Sequence, residues 1–147
     1  MSLVFFLSLT VGGGLIIGFL TRPGEWYVGL SKPRFTPPDS IFAPVWTLLY
    51  ITIAIAGWRT FTHDPLGATM IIWTIALALN FIWSPIFFGL RHPATALAVI
   101  VALLVCIVAF MWFSWPVDML SSLLFAPYAA WVFFAAILNA AICRLNS

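Results

Sequence analysis

Long apolar runs alternate with short polar breaks along the whole chain. An apolar helix needs about 20 residues to cross ~30 Å of hydrocarbon, and there the backbone must satisfy its own hydrogen bonds. Five stretches meet that requirement, at roughly 3–21, 44–62, 68–88, 94–114 and 120–143. The longest break, roughly 22–43, carries Pro23, Pro33, Pro37 and Pro38. The other breaks are short, so consecutive helices should run antiparallel. The pattern predicts an all-α membrane protein, a five-helix transmembrane bundle forming one domain over residues 1–147.

The first apolar run resembles the core of a secretory signal. It has no basic segment before it and no A-x-A-like cleavage site after it, so it reads as an uncleaved first helix. Pro44 suits the first turn of the second helix, where its missing N–H is not needed. Pro85 and Pro127 fall inside the third and fifth helices. Each removes a backbone hydrogen bond, which either kinks the helix or reflects the ordinary frequency of Pro in membrane helices.

Composition agrees. Hydrophobic residues make up 64% of the 147 residues and charged residues 7%, against about 25% charged in soluble domains. Such a surface faces lipid. With five spans, Arg22, Lys32, Arg34, Arg91 and Arg144 share one side and only Arg59 lies toward the other. The positive-inside rule then places the first loop and the C-terminus in the cytoplasm and the N-terminus outside. The lack of an N-terminal extension is what a bacterial origin would give. A net charge of +2 without a basic stripe gives no reason to expect a nucleic-acid partner.

Missing chemistry narrows the function. The acids Glu25, Asp39, Asp64 and Asp118 all fall in predicted loops, whereas proton-coupled transport usually needs an ionisable group within the membrane. His63 and His92 also sit in loops, which leaves no inward His to ligate haem iron. Cys106 and Cys143 belong to no metal-ligand or redox spacing, so no metal is expected. No nucleophile–base set or phosphate loop appears.

Aromatics and amides stand out instead. Most of the eight tryptophans fall near predicted helix ends, where an interfacial belt explains them. Trp131 lies about halfway along its helix, where its indole N–H needs a partner or a bound molecule. Asn80 and Asn139 are buried in spans. They either bond across to other helices or anchor a ligand. Helical spacing groups Trp46 with Tyr50, Asn80 with Trp83 and Phe87, and Trp131 with Ala135, Leu138 and Asn139. These faces could line a cavity for a flat apolar molecule, although core packing produces similar stripes.

Four segments carry a resemblance. They are Trp26-Tyr27-x-x-Leu30-x-Lys32-Pro33-x-Phe35-x-Pro37-Pro38, Phe42-x-Pro44-Val45-Trp46-Thr47-x-x-Tyr50, Asn80-x-x-Trp83-x-Pro85-x-Phe87-Phe88-Gly89 and Pro127-Tyr128-x-x-Trp131-x-x-x-Ala135-x-x-Leu138-Asn139. In this order the chain resembles the TspO/MBR family, the tryptophan-rich sensory proteins related to the mitochondrial translocator protein. The resemblance implies a dimeric five-helix bundle with a pocket under the first loop. It implies a sensor or regulator that binds protoporphyrin IX, haem or another tetrapyrrole, along with sterols and benzodiazepine-site ligands. By motif match the ligand-binding positions are Gly18, Tyr27, Pro38, Phe42, Trp46, Tyr50, Asn80, Trp83, Phe87, Trp131, Ala135 and Leu138. Arg22, Lys32 and Arg34, in the adjacent loop, either meet the propionates or serve only to set topology. Transport of porphyrin or sterol is the rival reading. A slow light-dependent degradation of porphyrin, through Trp46 or Trp131, is a third.

The chain departs from the family pattern in three places. Phe35 stands where many members have Trp, Ala76 where many have Gln, and the tail from Asn139 to Arg144 lacks the Tyr of a cholesterol motif. The last lowers the expectation of sterol binding. Gly14-x-x-x-Gly18 would let a second helix approach for a homodimer or for packing within one chain. The resemblance points instead to Ala76 and Ala78 on the third span as the dimer face.

Overall fold

A computed structural model describes residues 2–146. Five apolar helices are long enough to span a bilayer: α1 (Leu3–Leu20), α3 (Asp39–His63), α4 (Ala68–Gly89), α5 (Pro93–Ser114) and α6 (Met119–Leu145). A short α2 (Glu25–Val28) sits in the first loop. The predicted spans therefore stand, with one boundary corrected. Helix α3 begins at Asp39, five residues before the predicted start, because its first turn is polar and reads as loop. Pro44 consequently lies inside α3 rather than in its first turn.

Around the bundle the helices follow the order α1, α3, α6, α5, α4. One end holds the first loop and the C-terminus, tied by the Asn146 side chain. That amide accepts from Ser31 N at 3.0 Å and donates to Ser31 O at 2.9 Å. The opposite end is closed by the Arg59–Asp118 ion pair. Outward faces carry exposed Val4, Ile16, Val105 and Phe133, as lipid contact requires.

Close packing is set by small residues under large rings. A Cβ on Gly57 would overlap the indole of Trp73, so glycine there lets Trp73 donate its N–H to Ile53 O at 3.0 Å. A Cβ on Gly14 would overlap the ring of Tyr50. Gly14 is thus used for packing within this chain, whereas Gly18 is exposed with nothing packed on it. Ala76 is likewise buried, while Ala78 faces outward.

The two prolines act differently. At Pro85 the regular α-helix of α4 gives way to a π-helical turn, Pro85–Gly89, closed by Leu90 N to Pro85 O at 2.9 Å. Pro85 has no N–H to give to Phe81 O, so the ladder widens at that point. In α6 the helix is interrupted at Phe125, and Pro127 sits in the first turn of the segment Ala126–Leu145. There its missing N–H costs little.

Candidate functional site

Helices α1, α3, α4 and α6 enclose a cavity of about 550 Å³ beneath the first loop. That volume lies within the ~300–1,000 Å³ typical of small-molecule sites. Helix α5 packs behind α4 and α6 and contributes nothing to the wall.

Each helix supplies one face at helical spacing. Phe42, Trp46 and Tyr50 come from α3; Asn80, Trp83 and Phe87 from α4; Trp131, Ala135, Leu138 and Asn139 from α6; Gly14 and Gly18 from α1. The rings meet one another. Trp46 stacks on Tyr50 at 5.7 Å and stands edge-on to Trp131 at 6.5 Å. Trp83 stacks on Phe87 at 5.2 Å, where the π-helical turn carries Phe87 and Phe88 toward the loop. Tyr27, only 5% exposed, descends from α2 and packs edge-on against both phenylalanines.

Buried amides join these faces. Tyr50 Oη donates to Asn80 Oδ1 at 2.9 Å, and Asn80 Nδ2 donates to Tyr128 Oη at 2.6 Å. Trp83 Nε1 donates to Asn139 Oδ1 at 3.0 Å, and Asn139 Nδ2 donates to Pro93 O at 2.9 Å. Both asparagines therefore bond across helices while still bordering the cavity. Such bonds fix helix rotation, and so fix which rings face inward.

Trp131 is the exception. Its Nε1 is buried and has no hydrogen-bond partner among the described residues. A buried N–H in that condition costs about 1–3 kcal/mol. Its two neighbours in kind, Trp73 and Trp83, both donate.

At the mouth, Arg22 and Asp39 both border the cavity. The Arg22 guanidinium lies over the Phe19 ring at 4.8 Å. Burial, helped by the Asp39 carboxylate, pushes the Tyr27 phenol above its ordinary pKa, so it stays a neutral donor.

Eleven of the twelve motif-matched positions thus share one wall. Pro38 does not. It is exposed at the N-cap of α3 and shapes the start of that helix instead. Of the three cations, only Arg22 reaches the cavity. Lys32 turns back over the Tyr27 ring at 4.5 Å, and Arg34 is exposed. Asp39, whose polarity suggests a loop, borders the cavity from the first turn of α3. Thr21 and Ser84, which share a hydrogen bond of 2.7 Å across α1 and α4, also border it. Single hydroxyls in apolar runs gave no signal for either.

The model of the TspO/MBR family matches residues 6–145. A tryptophan-rich sensory protein of Cereibacter sphaeroides is 36% identical over 135 residues, covering 92% of this chain and 85% of that one. Protein CrtK of Rhodobacter capsulatus is 35% identical over 147 residues, covering 97% and 91%. The human translocator protein is 36% identical over 147 residues, covering 90% and 83%.

Proposed function

The chain belongs to the TspO/MBR family, and from that premise we propose that its cavity binds a flat, largely apolar tetrapyrrole such as protoporphyrin IX, as a membrane-embedded sensor or regulator. The observation that carries this reading is the wall itself. Seven aromatic side chains from three helices and the first loop converge on one space, Tyr27, Phe42, Trp46, Tyr50, Trp83, Phe87 and Trp131. Aromatic faces can stack on such a plate, each good pair adding ~0.5–1.5 kcal/mol beyond burial. Arg22 supplies a cation at the mouth for a propionate. Among the described residues the wall contains no His, Cys or Met to take an axial place on iron.

The protein is taken to sit with the first loop and C-terminus in the cytoplasm. Self-association as a homodimer would use the outward face of α4, where Ala78 lies between exposed Ile75 and Ile82. Crosslinking in lipid that returns only monomer would remove that element.

Titration of the detergent-purified protein with protoporphyrin IX, read by Trp fluorescence, tests the binding. Saturable quenching, weakened in Asn80→Ala and Trp131→Phe, supports the cavity as the site. Non-saturable quenching of folded protein would sink the reading. Repeated turnover under light would move the protein into the class of photochemical enzymes, and flux into sealed vesicles into that of transporters.

A further inference from the structure

A second apolar hollow, of about 470 Å³, lies between α3 and α6. Its walls are Val45, Leu48 and Leu49 of α3 and Pro127, Ala130 and Trp131 of α6. Leu48 is 65% exposed, and Pro127 and Ala130 are also exposed, so this groove opens on the outer surface of the bundle. On a spanning segment that surface is bilayer. Thr52, the one polar residue of the wall, spends its hydroxyl on Leu49 O at 2.8 Å. The groove therefore offers nothing to water and everything to an apolar ring or chain already dissolved in lipid.

One residue borders both spaces. Trp131 lines the groove and also lines the inner cavity. It is also the buried indole that lacks a hydrogen bond. Trp73 is tethered to Ile53 O and Trp83 to Asn139, so neither ring can turn without breaking a bond. Trp131 has no such tether and packs edge-on against Phe42, Trp46 and Phe134. One turn before it, α6 is interrupted at Phe125 and restarts with Pro127 in its first turn.

We propose that Trp131 is a swinging partition between the bilayer and the inner cavity, and that the α3–α6 groove is the site where a bilayer-dissolved, flat apolar ligand docks before passing inward. The proposal rests on the cavity being a binding site, and it adds the route. The occupant is the cavity's own ligand, because the groove shares the Trp131 wall with that cavity. The path through the first loop is the competitor. There Tyr27 is wedged on Phe87 and Phe88, and Asn146 clasps Ser31, so several contacts must break together.

A gate changes the speed of passage and not the end states, so both rate constants move together while Kd holds. The test uses protoporphyrin IX preloaded in phosphatidylcholine vesicles and the full chain in liposomes, followed by stopped-flow Trp quenching. Leu48→Trp and, separately, Ala130→Trp fill the groove from opposite walls without touching the inner cavity. Both sites are exposed, so folding should survive, and an unchanged Kd verifies it. The expected result is that association and dissociation both slow by about tenfold in each variant. Unchanged rates with saturable binding would overturn the route while leaving the cavity as the site. Faster exchange in Asn146→Ala, with no effect of either Trp variant, would move the route to the loop and overturn the proposal. Absence of saturable binding in the unaltered protein would instead remove the cavity reading, and the route with it.

Discussion

Arg59 and Asp118 face each other fork to fork, with Nε on Oδ2 at 2.8 Å and Nη2 on Oδ1 at 2.9 Å. They lie 59 positions apart and join the end of α3 to the turn between α5 and α6. Ser121 adds a third hydrogen bond to the same carboxylate. The hydrogen bond from Arg59 holds the Asp118 carboxyl at about 2, below its usual 3.8.

A depressed carboxyl pKa contributes stability that is fully present above the unfolded value and is lost as pH falls through the folded one. The pair should therefore weaken between 3.8 and about 2 and be constant at neutral pH. The Arg59 side chain is 32% exposed, which screens the pair, so its worth is about 1 kcal/mol. Asp118→Asn should lower the melting temperature by about 2–4 °C at neutral pH. It should also flatten the acid limb of the stability curve. An acid limb identical to that of the parent would show that the pair is not formed in solution.

Two glycines on one face of α1 should respond oppositely to one methyl group. At Gly14 a Cβ overlaps the Tyr50 ring, whereas at Gly18 nothing lies within 4 Å. Gly14→Ala should destabilise by about 1–3 kcal/mol through overpacking. Gly18→Ala should be neutral or slightly stabilising, since Ala is the better helix former. Thermal unfolding of the two variants in the same detergent decides the matter.

The unpartnered indole makes a similar contrast. Trp131→Phe relieves the cost of a buried N–H that bonds nothing and loses part of the indole's packing, so the two offset and ligand-free stability should change by less than about 1 kcal/mol. Trp73→Phe loses the hydrogen bond to Ile53 O together with part of a buried ring and should cost about 1–3 kcal/mol. Equal losses would mean that Trp131 Nε1 has a partner.

How much of this was legible in the sequence follows from what each signal measures. Hydropathy sees burial in lipid, so five spans were readable and their ends came within a few residues except at α3. There Asp39 and Ser40 are polar because they form a helix N-terminus at the cavity mouth, and a hydropathy window cannot tell that from loop. Helical spacing correctly grouped Asn80 with Trp83 and Phe87 on one face. It could not name the partners Tyr50, Tyr128 and Pro93, because those depend on how each helix is rotated against the next. The clasp of Asn146 on Ser31 spans 115 positions and leaves no periodic trace. Three cations in one loop looked equivalent by charge, and only the folded loop separates them.

That separation is testable. Arg22 borders the cavity while Lys32 is engaged by Tyr27 and Arg34 is exposed. A charge-assisted hydrogen bond is worth about 1.5–3 kcal/mol. Arg22→Gln should then weaken protoporphyrin IX at least about tenfold, and Lys32→Gln or Arg34→Gln less than about twofold. Equal losses in all three variants would assign the effect to the overall field of the loop.

The loop clasp predicts a local change in exchange. Asn146→Ala removes the acceptor of Ser31 N–H and the donor to Ser31 O. Deuterium uptake across residues 29–36 should rise several-fold, while the spans keep their protection. Unchanged uptake at Ser31 would show that the aromatic anchoring of Tyr27 alone holds the loop.

Helix α5 has the highest mean hydropathy of the five spans, 3.0, and none of its residues borders the cavity. A molecule held in the cavity would therefore touch only the other four spans, and α5 would learn of it at second hand, most directly through the hydrogen bond from Asn139 to Pro93 O.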